Sequence, residues 1–165
     1  MELIINSAKN GTRIIYYDEC DEALIQSYTW RIKRNQYKEY AATNLGRVNG
    51  KIKSVTMHIL LLGREKGYEI DHKDGNGLNN KRDNLRFTTR SQNGMNKGVQ
   101  SNSTTGYKGV SFSKSNRKYE AYIKVNGKKL QGGSFKTINE AAIKYNEMAV
   151  IHHGEFAFLN KITNG

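Results

Sequence analysis

Between Glu69 and Asn96 the chain sets Asp71 and His72 side by side before a glycine-rich turn, and follows them with Asn84, Asn93 and a stretch carrying Lys81, Arg82, Arg86 and Arg90. These residue types do chemistry on charged, oxygen-rich substrates. Carboxylate and amide oxygens are hard donors of the kind divalent cations take, an imidazole with an ordinary pKa near ~6.5 accepts a proton at neutral pH, and guanidinium groups brace anionic oxygens. Taken one at a time, an Asp-His pair before a turn and asparagines in a polar loop are also what backbone hydrogen bonding produces. The informative feature is their joint order, DH, then NLR, then QN. One competing pattern is excluded. A calcium loop starting at Asp71 needs oxygen ligands at its third and fifth positions and glutamate at its twelfth, where this chain has Lys73, Gly75 and Arg82.

The 165 residues suffice for one ordinary domain or two small ones, and carry 27 Lys and Arg against 15 Asp and Glu, a formal net charge of +12. The bases are spread along the chain and both halves are basic, which describes a folded basic surface rather than a charged tail. A polyanion is the natural partner of such a surface, because each neutralised phosphate releases condensed counterions. Composition alone leaves open a basic protein that merely adheres to RNA. No apolar stretch approaches the ~20 residues that span a bilayer, and the opening MELIINSAKNG lacks the basic-then-apolar order of a signal peptide. The expectation is an intracellular, cytoplasmic protein without membrane association. A single cysteine, Cys20, permits no internal disulfide and, with four histidines, no cysteine-rich zinc framework. Any metal would be held by oxygen and imidazole.

The elements that must position these residues follow from pattern. LIINS, TRIIYYD, YTWRIKR and EYAATNL are rich in β-branched and aromatic residues, with turn chemistry at Asn10-Gly11 and Asn49-Gly50, and predict a small antiparallel sheet over residues 1 to 56. A helical turn interrupts it over Asp21–Tyr28. The spacing in VTMHILLLGRE predicts a short buried helix ended by Gly63, and a loop-dominated stretch on the anchors Ile70, Leu78, Leu85 and Phe87 comes next. NGMNKGVQSNSTT, from Asn93 to Thr105, has no hydrophobic period and reads as an exposed connector. Three strands, YKGVSFS, KYEAYIKV and KKLQGGSF, succeed it, the last two joined at Asn126-Gly127. The closing helix begins at a capping box, Thr137 with Glu140, runs an apolar stripe through Ala141, Ala142, Tyr145, Ala149 and Ile151, and stops at Gly154.

The pattern DH, G, NN, NLR, T, QN and N over about residues 57 to 96 closely resembles the HNH endonucleases of phage and intron-encoded type. The resemblance implies a ββα-metal module around one divalent ion, with Asp71 and Asn93 as metal ligands, His72 as general base and Asn84 orienting or supporting His72. It makes Arg82, Arg86 and Arg90 candidates for bracing phosphate, Arg86 foremost. Familiar members also use histidine as a ligand where this chain has Asp71 and Asn93, which favours Mg²⁺ or Mn²⁺ over zinc. In a strand, His72 points to the face opposite Asp71, toward an attacking water. His58 reads as a packed or capping residue, and His152 and His153 as partners of helix-terminal carbonyls.

Residues 105 to 160, through YKGV, YEAYIKV, GSF with EAA and YNE, and the closing LN, resemble the AP2 DNA-binding domain. There three antiparallel strands enter the major groove and one helix braces them. Alternation turns Val110, Phe112, Ala121, Ile123 and Phe135 inward. Lys108, Lys124 and Gln131 match or nearly match the family's contact positions, and Arg117, Lys118, Lys128 and Lys129 flank the hairpins. Ser111 and Ser113 stand where arginine is usual.

The combined expectation is an α+β chain in which residues 1–98 form an HNH endonuclease domain, with supporting strands over 1–56 and a ββα-metal core over about 57–96. Residues 99–105 are a linker, and 106–165 an AP2-like three-stranded antiparallel sheet with one helix. The expected activity is hydrolysis of double-stranded DNA by a homing-type nickase or double-strand cutter, as monomer or dimer, with no small-molecule cofactor and no required protein partner. Two alternatives are an inactive DNA-binding regulator and an RNA-binding protein using the ten tyrosines for stacking.

Overall fold

The computed structural model describes residues 1–7, 11–35 and 38–162. The chain divides into two compact units, Met1–Arg90 and Ser91–Gly165. Among the described residues no helix is long and apolar enough to cross a membrane.

The first unit is α+β, and it holds three small antiparallel sheets where a single one was expected over residues 1 to 56 with loops beyond. A hairpin pairs β1 (Glu2–Ser7) with β2 (Gly11–Tyr16), and the Asn10 half of the expected turn lies outside the described residues. A short helix α1 (Glu22–Gln26) leads to a meander of β3 (Arg31–Arg34), β4 (Glu39–Val48) and β5 (Lys51–Thr56). Helix α2 (Met57–Leu62) stops at Gly63, whose φ of 78° needs no Cβ. The stretch read as loop contains a four-residue hairpin, β6 (Glu69–His72) with β7 (Leu85–Thr88), in the register Ile70 to Phe87, Asp71 to Arg86 and His72 to Leu85. Strands this short carry no readable alternation; cross-strand pairing specifies them.

Ile15, Tyr17, Ile25, Trp30, Ala41, Met57, Leu61, Leu78 and Leu85 form the core of this unit. Each large member stabilises the unit by roughly 1.5–3 kcal/mol. Leu78 and Leu85 belong to the site segment itself. The polar loop is therefore bolted to the core at both ends, and its backbone is tied to β2 by Tyr16 N–H to the Leu78 carbonyl at 2.9 Å and Asn80 N–H to the Tyr16 carbonyl at 2.7 Å.

Helix α3 runs from Arg90, the last residue of the first unit, to Asn96 in the second, and so includes the beginning of the segment read as connector. Its sequence has no apolar stripe because the helix is not held by one. Lys108 Nζ donates to the carbonyls of Met95 and Lys97 at 2.5 and 2.6 Å. The three-stranded sheet has β9 (Lys118–Val125) between β8 (Val110–Ser113) and β10 (Lys128–Phe135), and α4 (Ile138–His153) covers it. The capping box is present in both directions, Glu140 N–H to Thr137 Oγ1 and Thr137 N–H to a Glu140 carboxylate oxygen. Asn126 and Gly127 both have positive φ, 50° and 77°, which suits the right-handed twist of the strands they join.

Val110, Ala121, Ile123, Ala141, Ala142, Tyr145, Met148 and Ala149 pack the second core. Gly109, with φ of 69°, is required there, since a Cβ would stand 2.0 Å from the Tyr145 ring. Two expected inward residues are not inward. Phe112 is 46 % exposed and packs its ring at a tilt of 58° against Tyr119 at 5.1 Å, at an end of the sheet beyond Val110. Ile151 is 76 % exposed, and Met148 takes the place in the stripe that true helical spacing from Tyr145 assigns. His153 is buried and reaches across to the Lys124 carbonyl at 3.0 Å, so it ties α4 to β9 rather than to its own helix end; His152 is exposed.

Candidate active site

The alternation of β6 sends Asp71 and His72 to opposite sides and into different chemical surroundings. Both are 2 % exposed. Directly across the hairpin from Asp71 stands Arg86, which donates from Nε and Nη2 to Asp71 Oδ2 at 3.2 and 3.0 Å. The guanidinium compensates the carboxylate in its buried position.

On the other side His72 sits in a cage of rings. The His58 ring is 4.9 Å away at 90°, and Tyr40 lies 5.9 Å from His72 and 5.5 Å from His58. His58 is fixed in turn by a 2.9 Å hydrogen bond between its Nε2 and Thr56 Oγ1. Tyr40 is fixed by Gly77, where a Cβ would stand 2.4 Å from the Glu39 carbonyl and 2.7 Å from the tyrosine ring. The completely buried Asn80 completes the surroundings. Burial lowers the His72 pKa, and the Asn80 side chain is the principal neighbour acting the other way. None of Tyr40, His58 and Asn80 was assigned a part in the site from sequence. His58 and Tyr40 come from other elements, and only the asparagine, in the DH to NLR interval, was within reach of a motif argument.

Asn84 holds the loop between the strands. Its Nδ2 donates to Asp74 Oδ1 at 3.0 Å and to the Asn79 carbonyl at 2.8 Å, and its Oδ1 accepts from the Asp74 N–H at 3.1 Å. Asp74 also receives Asn76 N–H and Asn79 Nδ2, both at 2.8 Å. This is support for the turn that carries Asn80. Arg82 is anchored at 2.7 and 3.0 Å to the buried Asp21, and its N–H to Asp18. Arg90 is exposed at the start of α3, and Asn93 is half-buried on that helix, in the second unit.

In the second unit Lys124, Lys129 and Gln131 share the sheet face opposite Val110, Ala121 and Ile123, by the register Lys124 to Lys129 and Tyr122 to Gln131. Lys129 Nζ lies 4.1 Å over the Tyr122 ring. Arg117, Lys118 and Lys128 are exposed at the hairpin ends. Lys108 is a correction: expected at DNA, it is turned into its own unit by the Met95 and Lys97 carbonyls, with burial pulling it down to about 8.

Among the described residues no group of three or more His, Cys, Asp or Glu side chains forms a metal cage. The compensated carboxylate of Asp71 is a hard oxygen donor of the kind a divalent cation takes, and the described residues do not make a closed zinc site.

The HNH endonuclease family model matches residues 49–95, from the turn after β4 through α3. The uncharacterized HNH endonuclease L560 of Acanthamoeba polyphaga mimivirus is 32% identical over 140 residues, covering 84% of this chain and 70% of that protein. The chain belongs to the HNH endonuclease family. With that it is a metal-dependent nuclease whose substrate is DNA. Protein 3.8 of Escherichia phage T7 is also similar, 36% identical over 92 residues, which are 56% of this chain and 75% of that protein. No solved structure matches the HNH chain. Its second unit beyond α3 lies outside the family model.

Burial, with His72 and Arg64 acting in the same direction, pulls His58 from 6.5 down to about 3. The imidazole is neutral in the folded enzyme and takes up a proton on unfolding below its ordinary pKa. The stability it contributes is complete above about 6.5 and is lost as pH falls toward 3, by at most about 1.4 kcal/mol per pH unit. Thermal midpoints between pH 7.5 and 4 are expected to fall more steeply for the wild-type chain than for His58→Gln; parallel curves would assign the acid sensitivity elsewhere.

Proposed function

We propose that the chain is a site-preferring DNA endonuclease of homing type, acting inside a host cell, with His72 as general base. The observation that supports this best is the split surroundings of β6: a charge-compensated carboxylate on one side and, next in sequence, an imidazole held by rings on the other. Asp71 and Asn93 are the residues that would hold Mg²⁺ or Mn²⁺, as the motif assigns them. When bound, that ion supplies Lewis-acid stabilisation of charge developing on the phosphate and the leaving oxygen. His72 accepts the proton of the attacking water, and the cage of His58, Tyr40 and Asn80 limits its ring to one orientation. Asn84 supports His72 indirectly, through the turn it pins. Arg86 orients Asp71 and is close enough to it to brace a phosphate, with Arg90 exposed nearby in sequence. Arg82, spent largely on Asp21, serves the fold.

The second unit is, in this reading, an AP2-like DNA reader. Its three-stranded sheet with one covering helix supports the assignment, and Lys124, Lys129 and Gln131 on the open face, with Arg117, Lys118 and Lys128 at the rims, are the contact residues. It raises the local concentration of the nuclease at preferred sites. One active site per chain nicks as a monomer and cuts both strands only as a pair. A second reading, a regulator that binds without cutting, draws on the pairing of Asp71 with Arg86, which a metal must share.

Supercoiled plasmid DNA tests this. Relaxed or linear product is expected with Mg²⁺ or Mn²⁺ and none with EDTA; a gel shift without product in either metal, on DNA holding the preferred site, would establish the regulator.

A further inference from the structure

Helix α3 is weak by its own sequence. Its seven residues, RSQNGMN, make about two turns, and a helix that short does not hold in water without outside support. Gly94 weakens it further, because glycine surrenders more backbone freedom in a helix than any other residue. Nothing in the surroundings requires a glycine there, since a Cβ at Gly94 would meet no atom within 4 Å. The last carbonyls of a helix have no donor within it. In α3 that need is met by Lys108, whose Nζ donates to the carbonyls of Met95 and Lys97 at 2.5 and 2.6 Å. An ammonium at this position also suits the negative end of the helix dipole.

Lys108 is itself built in. Its N–H donates to Asn160 Oδ1 at 2.8 Å, and its carbonyl accepts from Asn160 Nδ2 at 2.9 Å. Asn160 is 5 % exposed, and its own backbone is held by the Asn146 side chain of α4: its N–H donates to Asn146 Oδ1 at 2.7 Å and its carbonyl accepts from Asn146 Nδ2 at 2.9 Å. Phe158 closes the group. Lys108 Nζ lies 5.5 Å from its ring centroid, and Gly98, two residues past the end of α3, packs so near that a Cβ would stand 3.3 Å from the ring. Hydrogen bonds thus run without a break from α4 through Asn146, Asn160 and Lys108 to the end of α3.

What α3 carries gives this chain of contacts a consequence for catalysis. Asn93, assigned with Asp71 to the metal ion, lies on α3 two residues before Met95, and Thr89 alone separates α3 from β7. A neutral amide oxygen is a weak ligand, and it serves a cation only where its backbone is held in place. The helix cannot hold it unaided, and the sheet and helix of the second unit supply the hold.

We infer that Lys108 is a positioning residue of the nuclease: by clamping the C-terminal end of α3 it fixes Asn93 for the divalent ion. The second unit is then a working part of the metal site as well as a reader of DNA. This rests on the nuclease reading and on the assignment of Asn93 within it.

The test uses the full chain with Lys108→Met, which keeps the length of the side chain and removes its donors, and Lys108→Met combined with Gly94→Ala. Amide hydrogen exchange is measured with EDTA present, duplex affinity by anisotropy in the same buffer, and plasmid cleavage across a Mg²⁺ titration. In Lys108→Met, exchange in α3 is expected to rise at least about tenfold, as two charge-assisted hydrogen bonds are lost, while β9 and α4 stay protected. The Mg²⁺ concentration for half-maximal cleavage is expected to rise about tenfold to a hundredfold, with duplex affinity unchanged. Gly94→Ala strengthens the helix itself and is expected to restore part of both losses. Unchanged exchange in α3 overturns the clamp whatever the cleavage. Loosened α3 with an unchanged Mg²⁺ requirement overturns the positioning role. Weaker duplex binding at an unchanged Mg²⁺ requirement would put Lys108 at DNA instead, and loss of protection in β9 and α4 as well would make it a residue of the second core; either overturns the inference. A wild type that cuts in no metal overturns the nuclease reading and the role in it, while exchange in α3 still decides the clamp.

Discussion

His72→Ala is expected to lower the rate of plasmid cleavage by about two to four orders of magnitude, the range that a positioned general base contributes, while leaving duplex affinity unchanged. The side chain is 2 % exposed, so it adds almost nothing to a binding surface, and its loss is felt at the reacting water. Removing a ring that packs on His58 and Tyr40 also leaves a cavity, and the alanine variant should be less stable by about 1–3 kcal/mol. His72→Gln fills most of that space without an imidazole. Measured by gel-based cleavage and by anisotropy at a temperature where all three proteins are folded, the glutamine variant should bind as wild type and be as defective in cutting as the alanine variant. Cleavage by His72→Gln at the wild-type rate would take the base away from this residue.

Arg86→Ala should be the most destabilising single change at the hairpin, by about 3 kcal/mol, because it strands the Asp71 carboxylate at 2 % exposure without the guanidinium that faces it at 3.0 Å. The effect carries a signature that simple loss of packing would not. A divalent cation on Asp71 replaces part of the missing charge, so millimolar Mg²⁺ or Mn²⁺ should raise the thermal midpoint of Arg86→Ala more than that of wild type. The double variant Asp71→Asn with Arg86→Met should recover stability, since neither partner is then a buried charge, and should lose cleavage. Differential scanning fluorimetry across a metal titration reads both. Equal responses of wild type and Arg86→Ala to metal would mean that Asp71 does not meet the ion.

What could be read from the chain in advance was local. Gly63 after α2, the Thr137–Glu140 capping box, and the Asn49-Gly50 and Asn126-Gly127 turns are specified by residues a few positions apart, and each stands where it was expected. The DH, NLR and QN order was legible for the same reason, as was the alternation that parts Asp71 from His72. Four-residue strands β6 and β7 were not, because their identity depends on a partner strand. Nor was α3, whose end is held by a lysine more than ten residues later and not by an apolar stripe.

The class of chemistry, the polyanionic substrate and the residues of the motif are carried by side-chain type, spacing and net charge. What each of those residues meets follows from the fold in three dimensions. It turned Arg82 to Asp21, 61 positions away, set Arg86 on Asp71 by hairpin register, spent Lys108 inside its own unit, and brought Tyr40 and His58 onto His72. Such contacts are made by burial between elements distant in the chain, where the gain comes from removing apolar area and compensating charge in three dimensions. No local pattern records them.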